Sequence, residues 1–268
     1  MNPSKSAFSR RRFPILAGAV FLLIAAAEAP GAEAVLARLT ADEIVQRMME
    51  MNEWRSAALR KYSAHRRYVA ENKRLGKRAE VEVRENYAYP GIKSFEVLSE
   101  EGNGFIRRKV IDKLIEAEVN STADEERDRG RISPENYAFT LLGEDQAEGR
   151  DCYLLQAEPH EDQKYLFRGK VWIDKQDFAV VRIEGAPAKK PSFWVREADF
   201  VRRYVKLGPF WLTAELESTS KLLIVGKSTL HIQYGEYRIN GSETPVAARS
   251  QTAEPGLTMT ARMDGGSR

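Results

Sequence analysis

The sequence predicts an α+β fold that is mainly β: a strongly curved antiparallel sheet, a half-barrel, covered by two or more helices. Three observations carry this. From Tyr137 onward short runs of alternating apolar and polar residues follow one another, with separators rich in Gly, Pro, Asp, Lys and Asn. No strand–helix–strand unit of the parallel kind interrupts them. Two earlier segments repeat their apolar residues at helical spacing, enough to cover one face of a sheet.

The first element is a helix over Thr40 to about Lys61. "TADE" forms a capping box, in which Thr40 caps the helix and Glu43 reaches back. Ile44, Met48, Met51 and Ala58 recur on one stripe, with Trp54 beside it. Met48, Met51 and Trp54 serve either as core or as a soft lid over an apolar cavity, since Met adapts to varied partners. The period then becomes two. "KRAEVEVRENY" sets Ala79, Val81 and Val83 on one face against Arg78, Glu80, Glu82 and Arg84 on the other, as in a half-buried antiparallel strand. "YSAHRRYVAE" and "GIKSFEVLSE" flank it, with Gly76 and "YPG" at 89–91 as turns.

"NGFIRRKVIDKLIEAEVN" breaks the strand series. Ile106, Val110 and Leu114 are four apart, with Ile111 and Ile115 alongside, while Arg107, Arg108, Lys109 and Lys113 take the other side. A basic amphipathic helix either lies on a membrane or packs on the sheet with a solvated outer face; both readings stand. A charged loop, "STADEERDRGR", leads to the later strands. Counting both series, the chain holds roughly ten strands between about residues 38 and 241.

The ends differ in character. "SKSAFSRRRF" is basic, "PILAGAVFLLIAAA" is apolar, and "GAEAV" offers a cleavage site after Ala34, so residues 1–34 read as an export signal. "SRRRF" partly matches the twin-arginine motif, and the ordinary export route fits as well. The domain spans 35–241, and 242–268 is polar and reads as a flexible tail. Of the formal charge of +3, the leader contributes +2, so the remainder is nearly balanced and no nucleic-acid partner is expected. Cys152 is the only cysteine, which forbids an internal disulfide and suits a small buried filler.

A curled sheet has a concave face that must be filled, covered or left to a ligand. Bulky side chains repeat on one parity of three strands: Tyr165, Phe167, Val171 and Ile173; then Phe210, Leu212, Ala214 and Leu216; then Leu230, Ile232 and Tyr234. With two helices to cover them, an apolar pocket and a dry core are equally consistent with these residues. Ile106, Val110 and Leu114 join Met48, Met51 and Trp54 as candidate lid residues.

The "TADEIVQRM" helix, the three strands before "GFIRRKVIDKLIEAEV", the later "YLFRGKVWIDKQDFAVVRIEG" and "VRRYVKLGPFWLTAELEST", and the closing "KSTLHIQYGEYRI" together resemble the LolA/LolB-like family of outer-membrane lipoprotein-sorting proteins. The resemblance covers about residues 38–240 and rests on element order and diffuse patterning. It implies a periplasmic half-barrel whose cavity takes lipid or lipoprotein acyl chains. An inner-membrane transporter or an outer-membrane acceptor would then be its partner. It also admits an RseB-like sensor of an envelope protein or lipid signal.

Catalytic chemistry finds little footing. His65, His160 and His231 are far apart, and "EPHEDQK" at 158–164 gathers its acids and His160 in what reads as a hydrated loop. No nucleophile elbow is present, and "GKSTL" at 226–230 lacks the first glycine of a phosphate loop. No catalytic residue, metal or cofactor is expected. In "GKVWIDKQDFAVVRIEG", Asp174 to Asp177 read as turn chemistry, with Val171 and Ile173 toward the concave side.

Overall fold

The computed structural model describes residues 39–120, 128–190, 195–224 and 226–243. Residues 1–34, expected to be an export signal, lie outside them, as does the expected tail from 244 on. α1 (Ala41–Ala58) begins at the expected capping box: the Thr40 hydroxyl accepts from the Glu43 amide, and the Thr40 amide donates to the Glu43 carboxylate at 2.8 Å. β1 (Lys61–Asn72), β2 (Lys77–Ala88) and β3 (Ile92–Gly102) form a meander. Then come α2 (Gly104–Ile106), a π-helical stretch (Arg107–Ile111) and α3 (Asp112–Asn120), which run on as one helical segment. β4 (Tyr137–Ala147), β5 (Arg150–Pro159), β6 (Phe167–Asp174), β7 (Val180–Pro187), β8 (Val195–Leu207), β9 (Phe210–Leu222), β10 (Gly226–Ile239) and β11 (Ser242–Glu243) complete the chain.

All pairings are antiparallel, in the order β3-β2-β1-β10-β9-β8-β7-β6-β5-β4, with β11 beside β10. The helical segment therefore leaves the sheet at one edge and the chain rejoins it at the other. Register shifts interrupt β1, β2, β4, β6, β8 and β9 pairings. Each inserts an unpaired residue, which bends a strand and adds twist, and so curves the sheet. One hairpin was underread: Asn240 and Gly241 both take positive φ (51° and 91°) and join β10 to β11, so the sheet runs two residues past 241 into the stretch expected to be tail. Asn-Gly is the turn that a two-residue hairpin demands, because both central residues need φ > 0.

The helices divide the inner face. Ile44, Val45 and Met48 of α1 pack on Tyr137, Leu155, Phe167, Val171, Ile173 and Ile183. Ile111, with half-buried Ile106, Val110 and Ile115, packs on Tyr68, Ala70, Val81, Val83 and Ile232. The π-helical stretch widens one turn by a residue, which brings Ile111 rather than Leu114 to the centre of the contact.

Gly169 and Gly185 lie directly opposite each other on β6 and β7. A Cβ on Gly169 would sit 2.0 Å from the Glu184 carbonyl oxygen and 2.6 Å from the Gly185 Cα. Backbone, not a flexible side chain, is in the way. Gly169→Ala is expected to cost about 1–3 kcal/mol of stability, measured by urea unfolding, because the strands must part to admit the methyl group. A variant as stable as the parent would show that the two strands separate freely here.

Candidate binding cavity

The hairpin at 169–185 is wall and turn. The buried Asp174 carboxylate accepts from the Gln176 and Asp177 amides at 2.9 and 2.6 Å and pairs with Arg150 at 2.7 Å. Asp177 pairs with Lys206 at 2.6 Å and accepts from the Trp211 indole at 3.0 Å. Val171 and Ile173 face α1 and are sealed from solvent, while Trp172 lies on the other face with Cys152 and Val181. Burial, and then Asp174 beside it, push the Cys152 thiol up to about 11, which leaves it an unreactive filler.

A cavity of about 720 Å³ opens at one end of the inner face. Its walls are the C-terminal half of α1 (Met49, Asn52, Ser56), the β2–β3 turn (Tyr87, Tyr89, Pro90), Ile132, and the start of β9 (Phe210, Trp211, Leu212). Lys93, Glu118 and Arg131 add charge. A smaller space of about 220 Å³ shares Asn52, Arg131, Ile132 and Trp211 with it and reaches Val180 and Tyr204. Glu53 and Arg55 of α1 also line it, so apolar and polar side chains share its wall, and a pocket of several hundred Å³ with convergent polar groups is a usual form of small-molecule site.

Of the side chains singled out from sequence, Phe210 and Leu212 line the cavity. Phe167, Val171 and Ile173 belong to the core under α1, and Leu216, Leu230, Ile232 and Tyr234 to the core under the helical segment. Tyr165 precedes β6 and is half-buried. Phe210 and Leu212 do not continue the stripe of Leu216: the register passes from Arg203↔Glu215 to Tyr204↔Thr213, leaving Ala214 without an opposite and breaking the parity of β9. Among the candidate lid residues, Met48, Ile106 and Val110 pack inward, Leu114 is half-buried, and Met51 and Trp54 are exposed. Met49, not singled out from sequence, reaches the cavity in their place.

Behind the cavity lies a polar centre that the sequence reading did not contain. Arg66, 2 % exposed, pairs with Glu85, 0 % exposed, at 2.5 Å and with Glu118 of α3 at 2.9 Å. Lys93 stands 3.4 Å from Glu85 and 3.3 Å from Glu118. The Arg66 guanidinium also donates to the Tyr68 hydroxyl at 3.1 Å and lies over the Tyr234 ring at 4.4 Å. Burial alone pushes the Glu118 carboxyl up, but Arg66 and Lys93 outweigh it and hold it below its ordinary 4.5. A carboxyl so depressed adds stability that is complete above its unfolded value and is lost as the pH falls through the folded one. The protein is therefore expected to lose urea resistance as the pH falls below 4.5, and Glu118→Gln to lose less over the same fall. Equal losses in both would remove Glu118 from the acid response.

The three histidines lie apart, with His65 3.5 Å from Glu82 and His231 against Glu215. His160 contacts the Pro134 carbonyl at 2.9 Å, and the acids of its loop bind Arg168. Glu215, Glu217 and His231 converge on the outer face, but Arg203 already lies 2.8 Å from Glu215 and 3.5 Å from Glu217, so a guanidinium supplies the charge a metal ion would. No helix among the described residues is long and apolar enough to cross a membrane.

Three solved structures resemble this chain at low identity. A LolA superfamily protein from Nitrosomonas europaea shares 11% identity over 75% of this chain and 94% of its own, with a TM-score of 0.36. An outer membrane lipoprotein-sorting protein domain from Vibrio parahaemolyticus shares 12% over 73% and 93%, at 0.37. A DUF1329 family protein from Desulfovibrio piger shares 12% over 76% and 94%, at 0.41. Residues 123–243 match the model of a family described as an uncharacterized protein. No curated protein matches the chain in sequence. This chain's own sheet, with α1 and the helical segment laid on it, and its cavity geometry carry the functional reading.

Proposed function

We propose that this chain is a non-enzymatic binding or carrier protein of the periplasm that holds a lipid or lipoprotein acyl group in the cavity between α1 and the sheet. The observation that carries this is the cavity of about 720 Å³ with Met49, Tyr89, Ile132, Phe210, Trp211 and Leu212 on its walls. Burying an acyl chain there gains about 0.8 kcal/mol per CH₂ group. The leader-like residues 1–34 support export, and transfer in one direction would need an acceptor that binds more tightly, such as an outer-membrane protein, with an inner-membrane transporter as donor. Native mass spectrometry of gently purified protein tests this. Copurified acyl lipid is the expected result. A protein that comes out empty, binds no acyl probe and instead captures a membrane-protein partner would replace the carrier with a sensor.

A further inference from the structure

The inner face carries two Arg-x-Tyr pairs. Residues two apart on a strand point to the same face, so each pair sets a guanidinium beside a phenol. The first, Arg66 and Tyr68 on β1, shows what such a pair holds: its guanidinium binds two carboxylates, Glu85 and Glu118. The second is Arg202 and Tyr204 on β8. Arg202 lies directly opposite Ile183 of β7 and Leu216 of β9. Ile183 belongs to the core under α1 and Leu216 packs into the core under the helical segment, so Arg202 stands at the seam between the two helices. Phe200 and Tyr204, on the same parity, pack into the α1 core.

Arg202 is half-buried, no described carboxylate lies within ion-pair distance of it although Glu118 acts on it from farther away, and its buried Nε has no hydrogen-bond partner. The charge balance agrees. Among the described residues, Arg66, Lys93 and Arg202 bring three cations to this region, and Glu85 and Glu118 bring two anions. A guanidinium cannot shed its charge to relieve burial, so it calls for an anion. Tyr204 also lines the smaller space, which shares Asn52, Arg131, Ile132 and Trp211 with the cavity, so the phenol beside Arg202 borders the proposed site.

We propose that Arg202 and Tyr204 form the anchor for the anionic head of an acyl amphiphile, with a carboxylate as the natural fit. The inference rests on the acyl-binding reading above and narrows its ligand class: the chain lies against the apolar walls, and the head reaches inward to the guanidinium, which offers paired N–H donors to both oxygens. Tyr234 lies under the Arg66 guanidinium, 4.4 Å from it.

The test uses the purified protein with a displaceable fluorescent acyl probe, below the micellar range. Oleate, oleyl alcohol and a lysophosphatidate of the same chain compete for it. Oleate is expected to bind roughly tenfold or more tighter than oleyl alcohol, since a charge-assisted pair is among the stronger hydrogen bonds. In Arg202→Met that preference falls to about one while oleyl alcohol binds as before, and Tyr204→Phe, which keeps the ring, loses part of it. Tighter binding of lysophosphatidate than oleate would assign the anchor to a phosphate head and overturn the carboxylate assignment. Equal binding of oleate and oleyl alcohol to the parent, or an unchanged preference in Arg202→Met, overturns the anchor and leaves the acyl cavity standing. Binding of neither overturns both.

Discussion

Arg66→Met is expected to destabilise the fold by about 3–5 kcal/mol, the cost of leaving a buried ion pair with one partner. Glu85 is sealed from solvent, and without Arg66 it keeps Lys93 as its cation, which Glu118 also contacts, and the Tyr62 hydroxyl as a donor. One ammonium group at the cavity wall would then face the sealed Glu85 carboxylate in place of the two cations it has now. Arg66→Met combined with Glu85→Leu is expected to recover much of the loss, because it removes the orphaned charge together with its partner. Urea midpoints of the two variants at neutral pH measure this. A single variant within about 1 kcal/mol of the parent would show that Arg66 does not hold Glu85 in the folded state.

Ile173→Ala is expected to cost about 2–5 kcal/mol, the range for truncating a fully buried aliphatic side chain. Ile173 is 0 % exposed beneath α1, among Leu155, Val171 and Met48. The same substitution is expected to leave acyl-probe affinity unchanged, since Ile173 does not line the cavity. This separates the two roles that the sequence left undivided: the inner face under α1 is dry core, and the cavity lies toward the end of the sheet. A variant that keeps its stability but loses the probe would move the binding site under α1.

What the sequence made legible follows from how strongly local chemistry constrains each element. α1 was readable because its capping box satisfies its first amides with side chains four positions of chain can supply. The strands were readable because one face is buried and the period is two, so a slip of one residue would invert every side chain. The bulge at Ala214 was not readable: it leaves composition unchanged, yet it moves Phe210 and Leu212 out of line with Leu216. The polar centre was hidden for another reason. Charged residues on alternating strands suggest a solvated face, but Glu85 continues the parity of Ala79, Val81 and Val83, and Arg202 that of Phe200 and Tyr204. A charge on the apolar parity was the available signal. Its partners, Glu118 and Lys93, come from other elements, and only the folded chain brings them together.

The central claim is that the space between α1 and the start of β9 holds an acyl chain. Photo-crosslinking with a diazirine-bearing fatty acid, followed by peptide mapping, tests it most directly. Label is expected on Met49, the Tyr87–Pro90 turn, Ile132 and Phe210 to Leu212. Label spread over the outer face, or confined to the exposed Met51 and Trp54, would contradict it.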